Sequence, residues 1–363
     1  MPTLLTVIGT RPQFIKYAAL AGSGPRPYDE IVVDTGQHFD GHLSAIFLRE
    51  YQLSHPHITF PPMEAVGIPR LASLLSQLDA VCEQHRPDAL LCLGDTDSTL
   101  AAGLTAVKNN VPLIHIEAGE RSRDRDGTRI PPASAAEESN RVTVDHLSSL
   151  LLCATERATE NLRQEASTGH VTFTGDIMYD LFLRASQALP PAGDCPTLPD
   201  IPDGDYGVCT VHRAINTDDT NRLRALLDTL NSLDFPVFLP MHPRTRLRME
   251  EANIEIPDGS LRFLPPLGHR DILVLLRGAT WVFTDSGGLT REAYFSGVPS
   301  LCLDDSTAWY DLTAAGWCTI TGADSTRIRE ALHRRPAVQP DYSQFGTGDA
   351  AQRSVEAISR FLG

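Results

Sequence analysis

The sequence is short of basic residues. It has 31 Lys and Arg against 46 Asp and Glu, which gives a formal net charge of −15. Binding to nucleic acids or to an anionic membrane surface needs clustered cations, so the composition disfavours both, and we expect neither as a partner. An anionic ligand would have to be bound by a local group of cations rather than by the overall field.

Paired cysteines and long apolar runs are also missing. The seven cysteines are scattered and form no Cys-x-x-Cys motif, which argues against a disulfide framework and against a cysteine-based zinc site. We therefore expect a reducing, cytoplasmic location. No run approaches 18 apolar residues, so no membrane span is predicted. The first residues read directly as a strand, and no signal peptide is expected.

The sequence instead alternates short apolar strands with amphipathic helices, the pattern of an α/β domain with a parallel sheet. A length of 363 residues allows two such domains. Residues 189–204 contain five prolines and are predicted to link domain 1–188 to domain 205–346. Residues 347–363 are predicted to form a helix that packs back at the domain junction. The predicted fold class is thus two Rossmann-like, doubly wound domains that face each other across a cleft, with ligands at the strand ends.

The first predicted strand is followed by Gly-Thr-Arg-Pro at 9–12 and then by Lys16. The N–H groups of a helix N-terminus, together with Arg11 and Lys16, would form an anion site. An ordinary strand-to-helix turn with solvated cations explains the same residues, so this motif alone leaves both interpretations open.

Three further strand ends in the first half carry histidine or carboxylates, at 34–40, 93–98 and 115–121. Each of them alone is also explained by turn or capping chemistry. Their combination favours a functional site. Glu137 and Glu138 begin a predicted helix, where the helix dipole by itself favours glutamate.

The second half contains three polar strand ends, at 210–213, 241–245 and 284–292. The run 286–288 at a helix start offers unhindered N–H donors for a phosphate, and Glu292 lies one turn further, where it would accept hydrogen bonds from ribose hydroxyls. Positive charge for a diphosphate would come from side chains in the same three segments: His212, Arg213, His242 and Arg244. These features predict a nucleoside diphosphate bound to the second domain.

Together these motifs resemble the UDP-N-acetylglucosamine 2-epimerase family. The matching stretches occur in the family's order from residue 4 to about residue 322 and are Gly-Thr-Arg-Pro at 9–12 with Lys16, Thr-Gly-Gln-His at 35–38, Gly-Asp-Thr at 94–96, His-Ile-Glu-Ala-Gly at 115–119, Glu-Glu-x-Asn-Arg at 137–141, His-Arg at 212–213, His-Pro-Arg-Thr at 242–245, and Asp-Ser-Gly-Gly at 285–288 with Glu292. The resemblance implies a glycosyltransferase-B-like (GT-B-like) fold, a nucleotide on the C-terminal domain, and a homodimer.

The resemblance also implies a role for each matched residue. The catalytic acid–base group would be Asp95, Glu117, Glu137 and His212. The residues implied to bind the substrate or nucleotide, or to belong to the binding motifs, are Arg11, Lys16, Arg141, Arg213, His242, Arg244, Ser286, Gly287, Gly288 and Glu292. Gln37 and His38 match part of a regulatory site of bacterial non-hydrolysing members. The chemistry implied requires neither a metal nor a redox cofactor.

The sequence departs from the family pattern in several places. Ile215 replaces a glutamate, Asp304 replaces an arginine and Ala308 replaces a glutamate. Glu120 stands where leucine is common, and the loop 122–135 is longer than usual and rich in Arg and Asp. These departures concern the surroundings of the nucleotide and the sugar, and they leave the identity of the sugar nucleotide open.

Three functions are compatible with the sequence. The first is a 2-epimerase that interconverts UDP-N-acetylglucosamine and UDP-N-acetylmannosamine, or a close analogue, by eliminating and re-adding the nucleoside diphosphate. The second is a hydrolysing relative that releases free sugar, an alternative sustained by segment 304–309 and loop 122–135. The third is a glycosyltransferase or a non-catalytic sugar-nucleotide-binding protein, against which the intact acid–base group argues.

Overall fold

The computed structural model describes residues 1–37, 48–62 and 65–363. The chain divides into two compact units. Unit 1 consists of Met1–Arg121, Ile130–Arg184 and Tyr342–Gly363, and unit 2 of Ser122–Arg129 and Ala185–Asp341. Each unit has its own parallel sheet with helices, which confirms the predicted α/β class of two doubly wound halves. The predicted domain boundaries stay a prediction.

Within its described residues, unit 1 has a seven-stranded parallel sheet in the order β3-β2-β1-β4-β5-β7-β8. Its strands are β1 (Thr3–Ile8), β2 (Asp29–Asp34), β3 (Ile58–Thr59), β4 (Ala89–Leu93), β5 (Leu113–Ile116), β7 (Leu150–Cys153) and β8 (His170–Phe173). The helices that begin in this unit are α1 (Arg11–Ala21), α2 (Ile68–His85), α3 (Asp97–Lys108), α4 (Ala136–Leu147), α5 (Glu156–Gln164), α6 (Ile177–Ser186) and α14 (Ala350–Leu362).

Alternate side chains of the unit 1 strands enter two separate cores, as expected of a sheet covered on both faces. Leu4 and Ile8 of β1 pack in a cluster with α1, α6 and α14. Leu5 and Val7 pack on the other face with α2 and α3. The apolar side of α14 therefore contributes to the core of unit 1.

Unit 2, all of whose residues are described, has a six-stranded parallel sheet in the order β11-β10-β9-β12-β13-β15. Its strands are β9 (Gly207–Thr210), β10 (Val237–Pro240), β11 (Leu261–Leu264), β12 (Trp281–Thr284), β13 (Ser300–Cys302) and β15 (Cys318–Ile320). Its helices are α7 (Ala214–Thr217), α8 (Thr220–Asn231), α9 (Pro243–Glu251), α10 (His269–Gly278), α11 (Gly287–Phe295), α12 (Tyr310–Ala314) and α13 (Ser325–Leu332).

In both sheets the strand order reverses next to the first strand of the unit. The reversal lies between β1 and β4 in unit 1 and between β9 and β12 in unit 2. Loops that leave the carboxyl ends of two such strands run in opposite directions and open a crevice, which is where ligands bind in open α/β sheets. The candidate site of each unit therefore belongs at these strand ends.

A short antiparallel strand pair joins two of the segments in which the sequence departs from the family pattern, 122–135 and 304–309. Strand β6 (Arg123–Asp124) pairs with β14 (Ser306–Thr307) inside unit 2. The turn after β6 is closed by the carboxylate of Asp124, which accepts the backbone N–H groups of Asp126 (2.9 Å) and Thr128 (2.8 Å). Strands of two residues carry no hydrophobic period, and the sequence did not predict this pair.

No helix in the described part of the chain combines the length and the apolarity needed to cross a bilayer. The seven cysteines are free thiols, and all of them are buried. Burial raises the pKa of the Cys82 thiol to about 11, and it raises that of Cys92 further. These thiols therefore act as small core side chains.

We expect Gly127→Ala to destabilise unit 2 by about 1–2 kcal/mol. Gly127 has φ +83°, and an added Cβ would lie 2.7 Å from the hydroxyl oxygen of Tyr310. The matched control is Gly193→Ala, because a Cβ there meets nothing within 4 Å. Urea unfolding of both variants measures the difference, and equal stabilities would contradict the strained turn.

Candidate active site

The ends of β1 and β4 in unit 1 are held together by Gln13 of α1. Its side-chain oxygen accepts the N–H groups of Gly9 (2.9 Å) and Thr10 (3.1 Å). Its amide nitrogen donates to the carbonyl of Leu93 at 2.8 Å. Gln13 is buried, so these bonds fix the turn of Arg11 relative to the turn of Asp95. Arg11 itself begins α1 and is partly exposed.

Lys16 and Glu117 form a buried ion pair at these strand ends. The ammonium nitrogen of Lys16 lies 2.8 Å from Oε1 of Glu117, with side-chain exposures of 5% and 10%. Gly94, with φ +68°, makes room for the ammonium group, because a Cβ there would lie 2.9 Å from it. The backbone of Glu117 is itself left-handed, with φ +69°. Such strain in a non-glycine residue is costly and concentrates at functional sites.

Asp95 and Arg141 form a second ion pair, and Arg141 also contacts Glu138. Burial alone would lower the pKa of Arg141, but the charges of Asp95 and Glu138 raise it. Each of the carboxylates Asp95 and Glu117 thus has its own cation. Glu137 lies on the first turn of α4 and is exposed.

Behind these carboxylates lies a buried network centred on Asp145 of α4. Its carboxylate contacts Nδ1 of His115 (2.7 Å), the guanidinium of Arg121 (2.6 Å) and the N–H of Gly119 (3.0 Å). Nε2 of His115 lies 2.7 Å from the carbonyl oxygen of Gly94. Burial by itself would raise the pKa of Asp145, but His115 and Arg121 lower it. The network therefore fixes the turns on both sides of Glu117 and just before Asp95.

The proposed regulatory pair is described only in part. The side-chain oxygen of Gln37 accepts the backbone N–H of Ser98 (2.9 Å) and its hydroxyl (2.6 Å). Gln37 is therefore held at the start of α3, close to the loop of Asp95. His38 lies outside the described residues.

In unit 2 the corresponding anchor is Asp285, directly after β12. Its Oδ2 accepts the backbone N–H groups of His212 (3.0 Å) and Arg213 (2.9 Å) and the side-chain amide of Asn216 (3.1 Å). Its Oδ1 lies 3.1 Å from Nδ1 of His212. Burial would raise the pKa of Asp285, but these groups, and above all His212, hold it far below its usual value. Asp285 thereby fixes both the backbone and the ring of His212.

The rings of His212 and His242 lie against each other, with centroids 5.2 Å apart. Nδ1 of His212 donates to Asp285, so in the neutral ring Nε2 is an acceptor. Nδ1 of His242 instead accepts the N–H of Arg244 at 3.2 Å, so in the neutral ring Nε2 carries the hydrogen.

The remaining predicted residues of unit 2 lie around the start of α11. Ser286 is its N-cap, and Gly287 and Gly288 follow, all three partly exposed. The carboxylate of Glu292 lies 2.6 Å from Nε2 of His269. The sequence assigned Arg213 and Arg244 to the diphosphate. In the structure Arg213 contacts Asp304 at 2.8 Å, and Arg244 contacts Asp218 at 2.6 Å.

Sequence reasoning missed the residues that hold these side chains in place. Gln13, His115, Arg121 and Asp145 hold the turns beside candidate residues. Three others contact candidates directly: Asp285 contacts His212, His269 contacts Glu292, and Asp218 contacts Arg244. His115 and Asp285 lie inside quoted motifs and Gln13 directly follows one, so their position at strand ends was a signal. Asp145 and His269 lie outside any motif.

We expect Asp145→Asn to lower the free energy of unfolding by about 3–5 kcal/mol at pH 7, because it takes the carboxylate away from buried His115 and leaves buried Arg121 with Glu165 alone. The pKa of Asp145 is lowered, so its contribution is complete above the ordinary value of about 3.9 and is lost as the pH falls below it. Urea unfolding from pH 7 to pH 3 should therefore show the two proteins converging in acid.

The control for this prediction is Asp29→Asn at the exposed start of β2, which should change stability by less than about 0.5 kcal/mol. Equal effects of the two substitutions, or a difference that does not shrink in acid, would contradict the role of Asp145.

Comparison with known proteins identifies the same family that the sequence motifs resemble. The family model for UDP-N-acetylglucosamine 2-epimerase matches residues 24–359. The chain is 34% identical to UDP-2,3-diacetamido-2,3-dideoxy-D-glucuronate 2-epimerase of Pseudomonas aeruginosa, over 98% of this chain and 99% of that protein. It is 32% identical to a UDP-N-acetylglucosamine 2-epimerase homolog of Methanococcus maripaludis, with the same coverage.

A solved structure is similar over its whole length. It is the UDP-GlcNAc 2-epimerase of Methanocaldococcus jannaschii in complex with UDP-GlcNAc and UDP, with a TM-score of 0.87, 26% identity and 99% coverage of both chains. The two doubly wound units are thus of the GT-B-like class. The chain belongs to the UDP-N-acetylglucosamine 2-epimerase family.

Proposed function

We propose that this chain, by family a sugar-nucleotide 2-epimerase, interconverts UDP-N-acetylglucosamine and UDP-N-acetylmannosamine. The observation that carries the proposal is the pair of cation-bound carboxylates at the strand reversal of unit 1, Glu117 on Lys16 and Asp95 on Arg141. Inversion at C2 requires acid–base groups on both faces of that carbon. Two carboxylates on neighbouring strand ends, with Glu137 at the start of α4, supply candidates for both.

The chemistry requires the anomeric bond to break before the C2 proton is removed, because that proton is not acidic in the intact sugar. Loss of the nucleoside diphosphate leaves an oxocarbenium-like centre at C1, and a carboxylate then takes the proton from C2. The products are a 2-acetamidoglucal and the free diphosphate. Protonation of the opposite face of C2 and return of the diphosphate to C1 give the 2-epimer.

Unit 2 would hold the departing diphosphate. The N–H groups at the start of α11 would form an anion site for the diphosphate. The N–H on Nε2 of His242 would supply a further donor to it. His212, whose ring is held by Asp285 through Nδ1, would donate to the leaving oxygen through Nε2. Water must be excluded from C1 to prevent hydrolysis.

A second substrate is favoured by one comparison. The 34% identity to the Pseudomonas aeruginosa enzyme exceeds the 26% identity to the UDP-GlcNAc-bound structure. UDP-2,3-diacetamido-2,3-dideoxy-D-glucuronate is therefore the second candidate, with the same change at C2.

We expect the purified protein to incorporate deuterium at C2 when it acts on UDP-N-acetylglucosamine in deuterium oxide, since the proton removed from C2 exchanges with solvent. Proton NMR would follow the C2 configuration, the label and the release of UDP, with the diacetamidoglucuronate nucleotide as a parallel substrate. Label in free sugar with stoichiometric release of UDP would identify a hydrolase instead. An active enzyme that leaves product unlabelled at C2 would refute the elimination.

We expect Asp95→Asn, Glu117→Gln and Glu137→Gln each to lower kcat by about 10²–10⁴-fold, the usual contribution of general acid–base catalysis. The amides keep the size of the side chains and remove their basicity, so the affinity for UDP should change little. Steady-state kinetics and calorimetric titration with UDP provide the two measurements. Glu156→Gln, on the first turn of α5, is the control and should retain full activity.

Two further parts of the proposal concern the setting of the enzyme. A reducing, cytoplasmic location is supported by the seven buried free thiols. A homodimer is implied by the family resemblance. Light scattering of the purified protein would find the mass of two chains, and the mass of one chain would contradict the dimer.

A further inference from the structure

His269 and Glu292 form a buried pair on two neighbouring helices of unit 2. His269 is the first residue of α10, and Glu292 lies in the second turn of α11. Nε2 of the histidine and Oε1 of the glutamate are 2.6 Å apart, with side-chain exposures of 2% and 6%. At that distance the ring nitrogen donates to the carboxylate.

This contact leaves the carboxylate partly satisfied. Among the described residues, the side chain of Glu292 makes its hydrogen bond with His269 alone. An ionised carboxylate has about four acceptor positions on its two oxygens. Oε2 and the second lone pair of Oε1 are therefore available to a ligand.

We propose that His269 is a positioning residue that fixes the carboxylate of Glu292 to accept both hydroxyls of the ligand's ribose. The proposal rests on the proposed function, in which Glu292 binds the ribose of a nucleoside diphosphate. A glutamate has three rotatable side-chain bonds, and an anchored Oε1 removes most of that freedom before the ligand arrives. Preorganisation of this kind raises affinity by lowering the entropic cost of binding.

The choice of His269 follows from its place in the fold. The backbone at the start of α10 fixes the ring, and the ring is buried, so it cannot swing away when the ligand binds. Its donor is aimed at one oxygen only. If the ribose lacked its hydroxyls, the carboxylate of Glu292 would lose the two donors that it is positioned to accept from.

The test compares UDP with 2′,3′-dideoxyuridine diphosphate by titration calorimetry. In the unmodified enzyme, removal of both hydroxyls should weaken binding about tenfold or more, because hydrogen bonds to a charged group are lost. In His269→Phe, which keeps a ring and removes the donor, the difference between the two ligands should fall to about threefold or less. His269→Gln, which restores a donor at a similar distance, should recover most of the difference.

His269→Asn provides a second comparison if the phenylalanine variant does not fold. Its amide is too short to reach Oε1, so it should behave like the phenylalanine variant, whereas a merely structural role predicts equal behaviour of Asn and Gln. His333→Phe, at the exposed end of α13, is the control and should leave both affinities unchanged.

Kinetics separate positioning from chemistry. Ribose contacts are the same in the bound substrate and in the transition state, so His269→Phe should raise KM about tenfold and leave kcat within twofold. Equal discrimination between the two ligands in His269→Phe and in the unmodified enzyme would overturn the proposal for His269 alone. Failure of the unmodified enzyme to bind UDP would instead overturn the proposed function.

Discussion

The strand ends of unit 1 depend on how one buried carboxylate, Asp145, is hydrogen-bonded. A charge without access to water must be surrounded by donors, and Asp145 obtains them from His115, Arg121 and the N–H of Gly119. These partners lie at the end of β5 and in the turn after it. The hydrogen bonds to Asp145 therefore determine the path of the backbone through Glu117, including its left-handed conformation. The candidate residue Glu117 is thus oriented through its backbone by the network around Asp145.

Unit 2 also has a buried carboxylate at its strand ends, and fewer residues surround it. Asp285 follows β12 directly and collects the N–H groups of His212 and Arg213. Here the buried carboxylate contacts the candidate acid–base residue itself, so it sets the orientation of His212. In both units the anchor lies beside the strand reversal, where two loops diverge and leave backbone N–H groups unpaired. A carboxylate is the side chain that can accept several of these groups at once.

The α/β class and the strand ends that carry the candidate residues could be predicted from the sequence, because apolar strands and amphipathic helices have clear periods. The partners could not. Asp145 lies within an amphipathic helix and looks like a surface residue until α4 is packed on the sheet. His269 stands alone between a glycine and an arginine. Its contact spans 23 residues, and no local pattern reports such pairs. The pairing of β6 with β14 was missed for the same reason, since it joins segments that lie far apart in the chain.

One departure from the family pattern, Asp304, changes the electrostatics around the candidate residues of unit 2. Three cations named for the diphosphate each have a carboxylate of their own: His212 has Asp285, Arg213 has Asp304 and Arg244 has Asp218. Asp304 stands where the family has an arginine, so this chain has lost one cation and has paired another. The helix N-terminus at Ser286 adds a positive potential of about half an elementary charge. In a chain of net charge −15, the proposed diphosphate would be recognised by directed N–H groups as well as by these paired side chains. A diphosphate that draws Arg213 toward itself would then have to compete with Asp304 for the guanidinium.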